Sequence, residues 1–195
     1  MAAERRPKTI SVEEYFELEK NNPEICYEYI DGYVYMMAGG SFNHDTIKSN
    51  IQRILWTLLR GNKCRVYSSD MNTQISETRY FHPDVTITCD PHDRETGDLL
   101  KSPRVVFEVF SPTTEMADRT WKLQNYLTVP TLEEYILVDA KSLKMELYRR
   151  EQNKWVYYMF GPDDELELSS VGLRFPVAEA YVNVDFENES SPEEE

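Results

Sequence analysis

The run Val105-Val106-Phe107-Glu108-Val109-Phe110 places one carboxylate inside a stretch of otherwise apolar, strand-forming residues. A short continuous apolar run of this kind reads as a strand buried on both faces. A carboxylate there is costly unless its charge is compensated. A second acidic residue, Asp84, follows Pro83 at the head of another such run, Val85-Thr86-Ile87-Thr88-Cys89. If the two strands are neighbours, the carboxylates repel each other, and a cation between them removes the cost. A hard divalent cation with a lysine in reach has the makings of a phosphodiester-hydrolysing centre.

The remaining elements can be read along the chain. Ser11 and Glu14 form a capping box for a helix that stops before Asn21-Asn22-Pro23. Asp31-Gly32 between Cys26–Ile30 and Tyr33–Met37 is a two-residue hairpin turn. Ile47, Ile51, Ile54, Leu55, Leu58 and Leu59 recur at helical spacing, which predicts a long helix from Ser41 to about Arg60. Strands are expected at 65–67, 71–76, 84–89, 104–110 and 135–138, with a helix from about Glu115 to Leu127 between the last two. That strand–helix–strand succession implies a parallel pair at the centre of the sheet. A hairpin is expected about Gln152-Asn153, weaker strands at 166–168 and 182–184, and a polar rim or lid over Pro91–Lys101, with Asp93, Arg94, Glu95 and Asp98. The expected class is α/β: a mixed β-sheet flanked by helices, with additional antiparallel hairpins.

Composition narrows the function. The chain of 195 residues fits one domain, expected over 1–186, and the acidic stretch 187–195 is expected to be a disordered tail. No apolar run is long enough to span a membrane and the first residues lack a signal core, so a cytoplasmic location is expected. Cys26, Cys64 and Cys89 have no metal-type spacing and read as small buried apolar residues in a reducing compartment. The net charge is −14, and without the five tail glutamates it is still −9. Such a surface repels a polyanion, which is the main argument against a nuclease.

An ordered set of motifs carries a resemblance. It comprises Tyr27-Glu28-Tyr29-Ile30-Asp31-Gly32, His44, His82-Pro83-Asp84-Val85, Phe107-Glu108-Val109-Phe110-Ser111-Pro112-Thr113, Asp118, Lys122, Tyr126 and Glu134-Tyr135-Ile136-Leu137-Val138-Asp139. In order and spacing the chain resembles the PD-(D/E)XK nuclease superfamily, with its restriction-endonuclease-like fold, and within it the Uma-type family. The similarity covers about residues 10 to 185.

The resemblance implies a metal-dependent endonuclease in which Asp84, Glu108 and the backbone carbonyl of Val109 bind Mg²⁺ or Mn²⁺. The superfamily's lysine position, two residues after the glutamate, is Phe110 here, and Lys122 on the following helix takes its place. Glu28, His44 and Asp118 are the supporting residues. The implied partner is nucleic acid, DNA first; the acidic surface calls for a basic protein partner, and a homodimer is open.

Each residue also has a plainer role. Asp84 could merely start a strand, Glu108 could sit in a structural ion pair, and Lys122 stands four residues after Asp118, the spacing of a helical salt bridge. His44 could simply cap or pack its helix, and Ser111-Pro112-Thr113 reads as a strand-to-helix turn. The rival functions are a non-catalytic protein-binding or regulatory module on the same fold and a phosphoesterase acting on small nucleotides.

Overall fold

The computed structural model describes residues 9–37, 40–95, 97, 99–110 and 114–186. The expected disordered tail 187–195, the expected strand-to-helix turn 111–113 and Asp98 lie outside the described residues.

Helix α1 (Val12–Asn21) starts at the expected box: Glu14 N–H donates to Ser11 Oγ, and Ser11 N–H donates to Glu14 Oε2 at 2.8 Å. Strands β1 (Tyr27–Ile30) and β2 (Tyr33–Met36) close on Asp31 and Gly32, both at positive φ (49° and 99°), as a two-residue hairpin requires. Helix α2 (Phe42–Leu58) buries Ile47, Ile51, Ile54 and Leu55. Strands β3 (Arg65–Ser68), β4 (Asn72–Ser76), β5 (Arg79–Phe81), β6 (Val85–Thr88), β7 (Leu99–Leu100) and β8 (Pro103–Phe110) follow. A helix, α3, then runs as Glu115–Ala117, a π-helical turn over Asp118–Lys122, and Leu123–Tyr126. Strands β9 (Glu134–Asp139), β10 (Met145–Glu151), β11 (Lys154–Phe160), β12 (Glu165–Leu168) and β13 (Leu173–Pro176) complete the strands.

The larger sheet has the order β11-β10-β9-β8-β6-β3, and within it β8 and β9 pair in parallel while the other pairs are antiparallel. The strand–helix–strand crossover read from the sequence is this β8-α3-β9 unit. A second sheet has the order β2-β1-β5-β4-β7. Alternation along β8 divides the core. Val105, Phe107 and Val109 face α2, while Val106 and Phe110 face α3 together with Ile75 and Phe81 of the second sheet. Helix α1 covers the outer side of that second sheet through Tyr15, which packs on Tyr29 and Tyr80. Glu108 therefore points into the layer between the sheets.

Three readings are corrected, and strands β5 and β13 are not among those expected. Val182–Val184 is not a strand, because Asn183 adopts a left-handed φ of 64°; the partner of β12 is β13, part of a stretch with too few alternating residues to be read. Strand β5 has only three residues, below the length at which a pattern is visible. The described residues of the loop, 91–95, 97 and 99–101, form no lid over the site: Asp93 is buried, accepts the backbone N–H groups of Lys101 and Ser102, and anchors them beside Thr88, at the end of β6 away from Asp84.

The cysteines are the third. Cys64 and Cys89 extend the β3–β6 register by one residue beyond Arg65↔Thr88 and form a disulfide, while Cys26 is a free, half-buried thiol. Their separation of 25 in sequence hides a direct cross-strand pairing. Disulfides are uncommon in reducing compartments, so the pair bears directly on the expected cytoplasmic location. Closing a loop of this length stabilises by roughly 3 kcal/mol in the chain-entropy account. Titration of the unfolded, unreduced protein with a thiol reagent should find one reactive cysteine, rising to three after reduction, with a lower melting temperature for the reduced form.

Candidate active site

The register Val85↔Phe107, continued by one residue, sets Asp84 opposite Glu108 on the same face of two neighbouring strands. Asp84 lies past the last paired residue of β6, so its side chain turns to the exposed backbone of β8: its Oδ2 accepts Val109 N–H at 2.8 Å. A residue in a strand presents its N–H and C=O to the same edge, so the Val109 carbonyl faces the side on which Asp84 stands. Helix α2 reaches round the sheet end, and His44 Nε2 lies 3.2 Å from the same Oδ2. Asp84 Oδ1 has no hydrogen-bond partner among the described residues.

Lys122 enters from the opposite layer. The π-helical turn over 118–122 brings both Asp118 and Lys122 to the buried side of α3. The ammonium Nζ lies 2.8 Å from Glu28 Oε1, 3.4 Å from Glu108 Oε1 and 3.5 Å from Asp118 Oδ1. The spacing-based salt bridge with Asp118 is thus present, but it is the longest of three contacts, and Lys122 is only 7% exposed. Tyr126, one helical turn on, donates its hydroxyl to Glu108 Oε1 at 2.8 Å and stacks on Tyr135.

Four carboxylates, Glu28, Asp84, Glu108 and Asp118, therefore share one lysine and one histidine. The titration behaviour follows from that imbalance. Burial pushes Glu108 well above the ordinary carboxylate range; Lys122 pulls it back, and Asp118, Asp84 and Glu28 add to the rise. Asp118 is raised for the same reason, burial first. Burial works against the charge on Lys122, yet Glu108, Glu28 and Asp118 hold it well above the usual lysine value. Burial also disfavours charge on His44, but the hydrogen bond to Asp84 and its charge prevail and raise its pKa.

Residues to which the sequence assigns no site role also contribute. Gly40 lies so close to His44 that a Cβ there would stand 2.4 Å from Nδ1, so only glycine lets the chain pass the ring. His82 ties the segment bearing Asp84 to α1 and to the turn after β3, with its ring nitrogens 2.7 Å from Glu19 Oε1 and 2.8 Å from the Ser69 carbonyl. Burial opposes its charge, but hydrogen bonds with Cys26 and Glu19, and the latter's charge, carry its pKa up to about 10. A cleft of about 320 Å³ lined by Cys26, Met36, His44, Lys48 and Asp84 opens onto the site. Periodicity signals none of these: the His82 contacts and the cleft join chain segments far apart in sequence, and the Gly40 contact depends on how the chain enters α2.

Among the described residues no group of His, Cys, Asp and Glu side chains forms a ready-made metal cage; three of the carboxylates converge on the Lys122 ammonium instead. The donor set nonetheless fits a hard divalent cation, being oxygen-rich, short of compensating charge, and provided with an unpartnered Asp84 oxygen.

A mixed sheet with a central β-α-β crossover and acidic residues at adjoining strand ends defines a restriction-endonuclease-like architecture. The chain belongs to the Uma2 family, described as "Putative restriction endonuclease", which matches residues 12–178. It is 38% identical over 179 residues to the uncharacterized protein slr1290 of Synechocystis sp., covering 91% of this chain and 94% of that protein. A second Synechocystis protein, sll1609, is 29% identical over 167 residues, covering 83% and 94%. A crystal structure from Anabaena variabilis, described as "a putative nuclease belonging to DUF820", superposes with a TM-score of 0.71 at 17% identity, covering 89% of this chain and 98% of that one. At that identity the likeness concerns the fold.

The charge imbalance sets opposite expectations for two neutralising substitutions. With its folded pKa above 4.5, Glu108 contributes stability that is fully present below that value and lost as pH rises through the folded pKa. At neutral pH and without metal, Glu108→Gln should melt at or above the wild-type temperature, and the difference should shrink in acid. Lys122→Met removes the cation the carboxylates share and should lose about 3–5 kcal/mol. Denaturant titrations of both variants check this.

Proposed function

We propose that this protein is a metal-dependent endonuclease that hydrolyses nucleic-acid phosphodiester bonds, with Mg²⁺ or Mn²⁺ held by Asp84, Glu108 and the Val109 carbonyl. The observation that carries the reading is the convergence of Glu28, Glu108 and Asp118, from β1, β8 and α3, on Lys122, with Asp84 set opposite Glu108 at the start of β6 and lining an open cleft. A structural ion pair needs two partners, whereas this cluster concentrates negative charge that folding alone gives no reason to assemble. Family membership supports the same reading.

A bound divalent cation supplies an acidified water and neutralises charge on the phosphoryl oxygens. The protein's own residues do the rest. Lys122, positive and fixed by its carboxylate partners, offers its ammonium to charge that develops on the phosphoryl group or to the attacking water. Tyr126 fixes one oxygen of Glu108, and Val109 N–H with His44 fix one oxygen of Asp84, so each carboxylate keeps a defined orientation and a remaining oxygen. Glu28 and Asp118 hold the ammonium in place. His44 and Lys48, lining the cleft, are the cations nearest an incoming phosphate.

Cleavage of DNA should require Mg²⁺ or Mn²⁺, stop in EDTA, and fall by orders of magnitude in Asp84→Ala and Glu108→Ala while both variants remain folded. Because the surface repels a polyanion, turnover should be weak at low ionic strength and should not fall steeply as moderate salt screens that repulsion. Cleavage that persists in EDTA or in either variant would remove these residues from the chemistry. A wild type inactive with several metals on DNA and RNA would favour the non-catalytic module.

A further inference from the structure

Beside the carboxylate cluster lies a second pocket of about 500 Å³, lined by Ile30, Tyr35, Arg79, Trp121, Gln124 and Asn125, and the mechanism above makes no use of it. Its volume lies in the range of small-molecule pockets, roughly 300–1,000 Å³. Two links join it to the site. In the β1–β2 hairpin Tyr35 is the direct cross-strand partner of Glu28, so the two side chains share a face. On α3, Trp121 immediately precedes Lys122 within the π-helical turn, and its ring packs edge-on against Phe81 at 5.7 Å. The two residues that contact each other in the cluster, Glu28 and Lys122, thus each have an aromatic neighbour in the pocket.

The pocket's chemistry is planar rather than ionic. The charge of Arg79 is already met by Asp31, which accepts from Nε at 3.0 Å and Nη2 at 2.5 Å, and its Nη1 donates to Asn125 Oδ1 at 2.6 Å. Those bonds fix the plane of the guanidinium and leave no unpaired cation among the lining residues to hold a phosphate. What remains are the ring of Tyr35, which is 51% exposed, the indole of Trp121, the guanidinium face, and the exposed Gln124 amide, which makes no hydrogen bond among the described residues. Aromatic and guanidinium planes with an amide at the edge form a stacking site for a flat, hydrogen-bonding heterocycle.

We propose that this pocket binds an unpaired nucleobase of a single-stranded substrate, the base flanking the phosphodiester at the carboxylate cluster; the proposal rests on the nuclease reading above. A base in a duplex is stacked and paired, and entry would first cost about a few kcal/mol of unstacking and unpairing. Stacking also gives a chain of net charge −14 a grip on nucleic acid that does not depend on a basic track.

The test is fluorescence anisotropy in EDTA with the wild-type protein and three probes: a short labelled single-stranded oligodeoxynucleotide, the same strand paired to its complement, and the same strand carrying abasic residues. The single strand should bind roughly tenfold or more tightly than either other probe. Tyr35→Ala and Trp121→Ala should weaken single-strand binding roughly tenfold or more, Tyr35→Phe should not, and neither alanine variant should lose further affinity for the abasic strand. Tyr35 lies half-exposed on an edge strand, so its variants keep the fold even if Trp121→Ala does not. Equal binding of duplex and single strand, or wild-type affinity in Tyr35→Ala, overturns the proposal. If that occurs while wild type still cleaves nucleic acid with Mn²⁺, the pocket assignment falls alone. A wild type that neither binds any probe nor cleaves overturns both.

Discussion

Negative charge buried on two adjoining strands is the constraint that the rest of this structure accommodates. Asp84 and Glu108 are fixed face to face by the β6–β8 register, and β8 cannot turn Glu108 outward, because both sides of that strand are covered. The compensation comes from across the layer. The π-helical turn in α3 brings Lys122 inward with Asp118, and the hairpin places Glu28 against the ammonium. Extra carboxylates around one lysine leave the cluster short of positive charge, and a protein selected for stability alone would do better with apolar residues there. The arrangement makes sense as a site that gains its missing charge from a ligand.

Much of the framework was legible in the residues because local chemistry decided it. Ser11 and Glu14 cap α1, Asp31-Gly32 turns the first hairpin, and the isoleucine and leucine stripe makes α2. Glu108 stood out because an acidic residue in an apolar run has few innocent explanations, and the motif order brought in Asp84 and Lys122. The hidden parts depend on tertiary pairing. Cys64 and Cys89 look unrelated until β3 lies against β6. Asp93 reads as a solvated loop residue, but backbone donors from Lys101 and Ser102 hold it inside. Tyr35 looks like one more strand aromatic, and only the register with Glu28 gives it a position beside the site.

The acidic surface, the strongest sequence argument against a nucleic-acid substrate, looks different beside the geometry. The site is recessed, with Glu108 3% exposed, and among the described residues lining its opening the cations are His44 and Lys48. A rigid duplex that depends on many phosphate contacts is poorly served by such an opening. A flexible strand, held by stacking and admitted one phosphodiester at a time, suits both the recess and the charge.

The central claim is that the carboxylate cluster is a cation site and not a structural ion pair, and calorimetric titration of Mn²⁺ tests it without relying on turnover. Wild type should bind Mn²⁺ stoichiometrically with a signal that vanishes in Asp84→Ala, while the variant keeps its far-ultraviolet circular dichroism. Absence of Mn²⁺ binding to the folded wild type, or binding unchanged by Asp84→Ala, would contradict it.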